Sequence, residues 1–379
     1  MKIGIFTDGY LPQLNGVAVS VKNSEDALRK RGHEVYVVAA KYPKLEKESK
    51  YIIRLNSIPI IKEWNLRMGT HLPEKALFDI SRIKFDIIHG HSGGPISFLG
   101  FEYAKFKRIP YVFTYHTLFR KYTHYFLGGK VLKPKMTELA SKLFCNYCDY
   151  IVAPTESIKN ELLSYGVTKP IAVIPSGIDI EKFNVKEKGF LKAKLGISEE
   201  QKILLYVGRF AKEKSVDFLI NAFKFIAEKN ENAVLVLVGV GSAKEEKSLK
   251  SLITKLNLGK KVYFTGAVSQ ADIAKAYADG YVFVFASESE TQGMIMPESL
   301  ASGLPVVVVK DEAFEGVIID GENGLVASRD YQDFAEKTLT LLNNQTLREE
   351  MSKKAKLSAK KYSIEKNAER LEMLYLSLV

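Results

Sequence analysis

Short apolar runs alternate with longer stretches of helical period along most of this chain of 379 residues. Several runs are apolar at almost every position, which is typical of parallel strands covered on both faces. In the first half we predict strands at residues 2–6, 34–39, 51–55, 85–89, 111–114 and 150–153, with helices including 17–30 and 95–107. The pattern then restarts, with strands at residues 203–207, 234–239, 262–265, 282–285 and 305–309 and helices at 215–228, 245–256, 272–278 and 297–302.

Two successive β/α alternations predict an α/β protein with two doubly wound, Rossmann-like domains that face each other across a cleft. We place the first domain at residues 1–173, an irregular linker at 174–184 and the second domain at 185–362, followed by a largely helical tail. Ligands of open α/β sheets bind beyond the carboxyl ends of the strands. The residues that directly follow strands are therefore the candidates for chemistry.

Composition narrows the class of protein. Apolar residues make up 46% of the chain and charged residues 26%, which excludes disordered and collagen-like chains. The first ten residues lack the apolar core of a signal peptide, and no apolar run approaches the ~18 residues that span a bilayer. We expect a protein of the cytoplasm, or one that lies on a membrane without crossing it.

The net charge of +11 is confined to one half of the chain. Residues 1–172 hold 26 Lys and Arg against 15 Asp and Glu, whereas residues 173–379 hold 29 of each. Residues 105–142 carry nine basic side chains and one acid, interleaved with eight aromatic side chains. Such a patch attracts anionic lipid head groups or nucleic acid phosphates, although a basic surface that only aids solubility is the plain alternative. No helix-turn-helix, zinc-finger or RNA-binding pattern accompanies the charge, so we expect no nucleic acid partner.

Two loops follow strands and precede helices. The first runs from Thr7 to Gly16, where a glycine before the helix allows a close approach of backbone and ligand. An ordinary turn explains this loop equally well. The second, GRFAKEKS at residues 208–215, imitates a phosphate-binding loop but carries Glu213 where the second glycine is required. A nucleoside triphosphatase is therefore excluded, while Arg209 and Lys214 beside a helix start suit a diphosphate.

Two further candidates follow strands. Glu290 and Glu298 stand eight residues apart, and Glu298 falls in the first turn of a predicted helix. The two carboxylates suit a bound ligand, while an acid in the first turn also simply favours the helix dipole. His116 directly follows the strand at residues 111–114, which makes it the best placed of the six histidines.

Other motifs are absent or incomplete. Cys145 and Cys148 form a single C-x-x-C inside a predicted helix, without a second pair at zinc spacing, and no D-x-D occurs. We therefore predict no essential metal. A glycine pair at Gly239 and Gly241 lacks the third glycine of a dinucleotide site, and G-x-S-x-G is missing, which argues against an α/β-hydrolase.

Taken together, these positions resemble the family-4 retaining glycosyltransferases of the GT-B fold over essentially the whole chain. The most specific part is Glu-x7-Glu at Glu290 and Glu298, followed by SLASGLPVV at residues 299–307. The chain departs from the family at Pro297 and Leu300, where relatives carry a larger aliphatic residue and an alanine. These changes affect the start of the helix and leave both carboxylates in place.

The resemblance implies a nucleotide-sugar donor, taken to be a UDP-sugar, and a role for each matching residue. Arg209 and Lys214 hold the diphosphate, Glu298 the ribose and Glu290 the hexose, while His116 contacts the sugar near its reacting carbon. Donor binding also involves the loop at Gly16 and the backbone amides at Gly293, Met294 and Ile295, and Asp8 and Asn15 are acceptor candidates. The terminal helix, within residues 363–379, is expected to pack back on the first domain, which binds the acceptor.

Within the family, ETQG at residues 290–293 and YHT at 115–117 resemble the branch that glucosylates diacylglycerol. This implies an α-glycosyl-diacylglycerol product and a peripheral position on the inner face of the cell membrane, with a soluble sugar or glycan acceptor as the alternative. We interpret residues 58–68 as an amphipathic interfacial helix, with an ordinary surface helix equally consistent. The membrane-contact candidates are Lys62, Trp64, Arg67, Arg120, Lys121, Lys130, Lys133 and Lys135.

Overall fold

The computed structural model describes residues 1–13, 15–43, 45, 48–61, 66–70, 74–116, 133–287 and 290–379. The chain forms two compact units, Met1–Ile178 with Ile364–Val379, and Asp179–Ser363.

The first unit is built on a parallel sheet of seven strands in the order β3-β2-β1-β6-β7-β8-β9. Its strands are β1 (Lys2–Thr7), β2 (Glu34–Ala40), β3 (Ile52–Leu55), β6 (Ile87–His91), β7 (Tyr111–Thr114), β8 (Tyr150–Ala153) and β9 (Ile171–Val173). Its helices are α1 (Gly16–Lys30), α2 (Lys75–Arg82), α3 (Pro95–Lys107), α4 (Pro134–Tyr147), α5 (Glu156–Ser164) and the terminal α13 (Ile364–Leu376).

Both faces of this sheet are buried because alternate side chains of each strand enter different cores. Ile3 and Ile5 of β1 pack with residues of α1 and α13, whereas Phe6 packs with residues of α2, α3 and α4. The terminal helix α13 is part of the first unit and lies against α1.

The second unit has a parallel sheet of six strands in the order β12-β11-β10-β13-β14-β15. Its strands are β10 (Lys202–Val207), β11 (Ala233–Val238), β12 (Val262–Gly266), β13 (Gly280–Phe285), β14 (Val306–Val309) and β15 (Gly324–Ala327). Its helices are α6 (Phe190–Leu195), α7 (Val216–Lys229), α8 (Ala243–Lys255), α9 (Ile273–Asp279), α10 (Ile295–Ala301), α11 (Tyr331–Asn343) and α12 (Gln345–Ala359). The predicted fold class, an α/β protein with two doubly wound domains, is confirmed.

Each sheet reverses its strand order at one place. In the first unit the reversal lies between β1 and β6, and in the second unit between β10 and β13. Loops after these neighbouring strands diverge in opposite directions and leave room for a ligand between them. The residues after β10 and β13 therefore form the first place to look for a site.

One prediction is wrong. Within residues 58–68, the described positions do not form the predicted amphipathic helix, because they belong to the antiparallel strands β4 (Ser57–Ile61) and β5 (Leu66–Gly69). The segment begins Ile58-Pro59-Ile60-Ile61, and β-branched isoleucines favour a strand over a helix.

Candidate functional site

The loop after β10 is held against the loop after β11 by close contact of two glycines. A Cβ atom on Gly239, whose φ is +143°, would lie 1.9 Å from the carbonyl oxygen of Gly208. Beyond these glycines the two loops continue side by side, because the amide of Phe210 donates to the carbonyl of Val240 at 2.9 Å. This packing fixes the backbone that carries Arg209.

Lys214 and Glu290 meet at the point where the strand order reverses. Lys214 ends a short 3-10 turn, Lys212–Lys214, directly before α7, and Glu290 lies in the loop after β13. The Lys214 ammonium donates to Glu290 Oε1, and the two side chains are only 13% and 11% exposed. Sequence reasoning gave these residues separate ligand roles and missed that they form an ion pair with each other.

Arg209 has a different environment from Lys214. Its side chain is 49% exposed, and its guanidinium lies 3.9 Å from the carboxylate of Glu213. The backbone of Arg209 is fixed by the buried Tyr206, whose hydroxyl donates to the Arg209 carbonyl at 2.9 Å. The loop after β13 is joined to the same turn, since the Ser287 hydroxyl donates to the Glu213 carbonyl at 3.2 Å.

Glu298 lies in the first turn of α10, as the sequence predicts. Its Oε2 accepts a hydrogen bond of 2.9 Å from the hydroxyl of Tyr277, a fully buried residue of α9. Burial raises the pKa of Glu298, and the bond from Tyr277 acts in the opposite direction. Gly293, Met294 and Ile295 form the entry to α10, and Gly293 has a φ of +62° that favours glycine.

The bond between Tyr277 and Glu298 leads to a prediction for nucleotide binding. Tyr277→Phe removes the group that orients the carboxylate. We expect about tenfold weaker binding of UDP, the nucleotide that the sequence resemblance predicts, because a hydrogen bond to a charged group contributes about 1.5–3 kcal/mol. Isothermal titration calorimetry measures the affinity. Tyr263→Phe is the matched control, since that hydroxyl donates to the Lys260 carbonyl at 3.1 Å. Equal affinity in Tyr277→Phe and the control would remove Tyr277 from the site.

Three candidates of the first unit lie near the N-termini of helices: Asp8 contacts the start of α3, and Asn15 and Gly16 stand at the start of α1. Asp8, after β1, is buried, and its carboxylate accepts from the amides of Gly69 and Ile96, both at 3.1 Å. Asn15 is the N-cap of α1, where its Oδ1 accepts from the amide of Ala18 at 2.8 Å, and Gly16 is the first residue of that helix. These contacts give Asp8 and Asn15 structural roles, and their part in binding an acceptor stays a prediction.

His116 is one of three histidines that lie side by side, and the other two were not singled out from the sequence. His89 and His91 occupy β6 two residues apart, so their side chains share one face of the sheet. The ring centroids of His89 and His91 are 4.1 Å apart, and the ring centroids of His91 and His116 are 5.1 Å apart. Burial lowers the pKa of His89 to about 3 and that of His116 to about 4, so these imidazoles are neutral at pH 7. The sequence I-I-H-G-H at residues 87–91 could have identified His89 and His91, because two histidines two positions apart in a strand share one face.

Among the membrane-contact candidates, Lys62, Trp64, Arg120, Lys121 and Lys130 lie outside the described residues. Lys133 and Lys135 are exposed at the start of α4.

Arg67 contributes to the hairpin of β4 and β5. Its guanidinium donates to the carbonyl of Lys41 at 3.0 Å and to the carbonyl of Ser57 at 2.6 Å. Its contact with a membrane stays a prediction.

The two cysteines are structural within the described part of the chain. Cys145 and Cys148 are buried free thiols, and burial raises the pKa of Cys145 to about 12. No cluster of three or more His, Cys, Asp or Glu with metal-binding geometry occurs among the described residues. The helices in these ranges are too short or too polar for any of them to span a bilayer.

Two known protein families together match most of the chain. Residues 14–182 match the family described as Glycosyltransferase Family 4, and residues 187–358 match Glycosyl transferases group 1. An alpha-monoglucosyldiacylglycerol synthase of Acholeplasma laidlawii is 31% identical over 393 aligned positions, which cover 100% of this chain and 98% of the relative. The chain belongs to the family-4 glycosyltransferases. It is therefore a glycosyltransferase of the GT-B fold, as the motif at Glu290 and Glu298 suggests.

Two further comparisons agree with this assignment. The alpha-monoglucosyldiacylglycerol synthase of Streptococcus pneumoniae is 32% identical over 86% of this chain and 77% of the relative. A crystal structure of Anabaena HepE in complex with UDP superimposes with a TM-score of 0.78 over the whole of both chains, at 17% identity. At that identity the second comparison supports the fold alone.

Proposed function

We propose that this glycosyltransferase moves glucose from UDP-glucose to 1,2-diacylglycerol with retention of configuration, giving an α-glucosyl-diacylglycerol. The observation that carries the proposal is the meeting of Lys214 and Glu290 at the strand-order reversal of the second unit, with Arg209 on the loop after β10 and Glu298 in the first turn of α10. The choice of glucose and diacylglycerol is supported by two relatives that are named alpha-monoglucosyldiacylglycerol synthases.

The proposed donor site uses opposite charges for different parts of the nucleotide-sugar. Arg209 and Lys214 neutralise the diphosphate, and the carboxylate of Glu298 accepts hydrogen bonds from the ribose hydroxyls. Glu290 contacts the hexose and holds the Lys214 ammonium in place. Because Lys214 is already fixed by Glu290, little side-chain entropy is lost when the diphosphate binds.

The proposed reaction is a front-side displacement. The bond between the anomeric carbon and the diphosphate oxygen breaks, the acceptor oxygen bonds to that carbon on the same face, and the acceptor proton passes to the leaving phosphate oxygen. The chain's contribution is to stabilise the negative charge that develops on the diphosphate. A fixed cation at that position is worth about 3 kcal/mol of barrier.

The lipid acceptor requires the enzyme to reach a membrane, and α4 has a surface suited to this. Met136, Leu139, Leu143 and Tyr147 lie at helical spacing on one face and are 51–66% exposed. The opposite face of the helix, at Ser141 and Cys145, is buried in the first unit. An exposed apolar stripe with lysines beside it fits the interface of an anionic bilayer. The exposed stripe of α4 supports the proposal that the enzyme binds a membrane surface, and we propose the inner face of the cell membrane as its location.

Membrane binding through α4 is tested with anionic vesicles. Changing both Leu139 and Leu143 to Asp removes apolar surface and adds negative charge, so we expect co-sedimentation to fall about tenfold or more. Wild-type binding is expected to weaken at high salt. Leu357→Asp in α12 is the matched control, since Leu357 is 62% exposed in the second unit. If the double variant binds vesicles as the wild type does, α4 is not the membrane contact.

The activity itself is tested with a panel of radiolabelled nucleotide-sugars and diacylglycerol vesicles. We expect label from UDP-glucose to enter the lipid fraction, with α configuration by NMR of the product. Transfer only to added soluble sugars would instead favour the soluble-acceptor alternative. Transfer from a nucleotide other than UDP would correct the donor and leave the acceptor proposal intact.

A further inference from the structure

The three neighbouring histidines contain an unpaired ring nitrogen that restricts how their protons are placed. His91 Nδ1 and His116 Nε2 are 2.9 Å apart, a hydrogen-bond distance between two neutral rings. One of these two nitrogens therefore carries a proton and donates the hydrogen bond, and the other nitrogen accepts that bond. The second nitrogen of His91, Nε2, is buried and has no hydrogen-bond partner in the structure, and His91 is 3% exposed.

Only two arrangements are possible for a pair of neutral imidazoles. If His116 donates from Nε2, the proton of His91 must be on its own Nε2, which leaves a buried N–H without an acceptor. If His91 donates from Nδ1, its Nε2 is a bare lone pair, and the proton of His116 is on Nδ1. Among backbone groups, orphaned buried N–H donors are rarer than under-satisfied acceptors, and we apply the same preference to the ring nitrogens of His91. The second arrangement is therefore the favoured one.

We propose that His91 is a positioning residue that fixes His116 as the tautomer protonated on Nδ1, so that His116 presents an N–H donor to a ligand oxygen. The state of a histidine nitrogen is set by the hydrogen bond that the other nitrogen makes, and His91 provides that bond. Among the described residues His116 has no other recorded hydrogen-bond partner, which leaves Nδ1 for a ligand. That the ligand is the nucleotide-sugar rests on the proposed function.

Neighbouring residues hold the ring of His91 in place and take no part in its hydrogen bond with His116. His89 lies between Tyr375 of α13 and Thr114 of β7, with 2.6 Å from Nδ1 to the tyrosine hydroxyl and 2.6 Å from Nε2 to the threonine hydroxyl. Both nitrogens of His89 are therefore occupied. The ring of His89 packs against that of His91 and limits its rotation. The burial of these rings, which lowers the pKa of all three histidines, keeps the arrangement neutral.

The tautomer is measured directly on the full-length protein labelled with 15N-histidine. The chain has six histidines, so long-range 1H–15N correlation spectra resolve each ring, and the signal that is absent from His116→Asn assigns His116. We expect Nδ1 of His116 to be protonated and Nε2 to be bare. An unconstrained histidine favours the proton on Nε2, so the expected result is not the default. A proton on Nε2 of His116 in the wild-type protein would overturn the proposal.

Two variants of His91 separate positioning from packing. His91→Asn keeps an N–H donor near the position of Nδ1, and we expect it to retain the His116 tautomer and most of the activity. His91→Leu removes the donor, so His116 should lose its fixed tautomer and kcat should fall about tenfold with little change in KM for the donor. Tyr375→Phe is the control for a lost hydroxyl in the same core, and it should leave the tautomer unchanged.

The outcomes distinguish this inference from the proposed function. A proton on Nδ1 of His116 together with full activity of His116→Asn would support the tautomer and remove His116 from the reaction. A changed tautomer in Tyr375→Phe, or an unchanged one in His91→Leu, would show that His91 does not set it.

Discussion

Lys214→Ala is expected to lower kcat by about 10²–10³-fold, because one charged donor to a leaving group contributes about 3 kcal/mol to the barrier. The same change leaves the Glu290 carboxylate, only 11% exposed, without its cation. We therefore also expect the free energy of unfolding to fall by about 1–3 kcal/mol. The rate of glucose transfer and a urea titration measure the two effects separately.

Two further variants decide whether the loss of activity reflects chemistry or stability. Lys212→Ala is the matched control, since Lys212 is an exposed lysine of the same 3-10 turn, and it should keep near-normal activity. Combining Lys214→Ala with Glu290→Gln removes the unpaired charge, so stability should recover while kcat stays low. If Lys214→Ala alone retains near-normal kcat, Lys214 has no part in the reaction.

Gly239→Ala is expected to have the largest effect on stability, about 3–5 kcal/mol. A Cβ atom there would lie 1.9 Å from the Gly208 carbonyl oxygen, which belongs to backbone and cannot turn away as a side chain can. The φ of +143° adds strain for any residue with a Cβ atom. The loop that carries Arg209 would be displaced, so UDP binding should be lost as well.

Gly259→Ala is the control for this substitution, because a Cβ atom at Gly259 would meet no other atom within 4 Å. Urea titration followed by circular dichroism and calorimetry with UDP provide the two measurements. We expect Gly259→Ala to be close to wild type in both. Wild-type stability and UDP affinity in Gly239→Ala would show that the contact between the two glycine loops is not tight in solution.

Local pattern predicted the strands well because their side chains are apolar at successive positions and buried on both faces. β7 and β8 have the predicted bounds, and α3 begins at Pro95 and ends at Lys107 as predicted. The hairpin of β4 and β5 differs from the predicted helix because the charged and aromatic composition of residues 58–68 is typical of an interfacial helix, whereas the isoleucines of this segment favour a strand. The pairing of β4 with β5 depends on contacts between the two strands, and the period of apolar residues along one segment does not indicate such contacts.

The sequence indicates candidate site residues, but it does not indicate which side chains they contact. The spacing of Glu290 and Glu298 identified both carboxylates, but nothing in that spacing indicates that one meets Lys214 and the other Tyr277. These pairs join residues 76 and 21 positions apart, so they follow from strand order. The contact of His91 with His116 is likewise set by the pairing of β6 with β7.

The central claim is that Arg209 and Lys214 neutralise the diphosphate of a UDP-sugar. A crystal structure of this enzyme with UDP tests it most directly. We predict that the Arg209 guanidinium and the Lys214 ammonium both lie within hydrogen-bond distance of diphosphate oxygens, with the ribose hydroxyls on Glu298. UDP bound at a position remote from both cations would contradict the account.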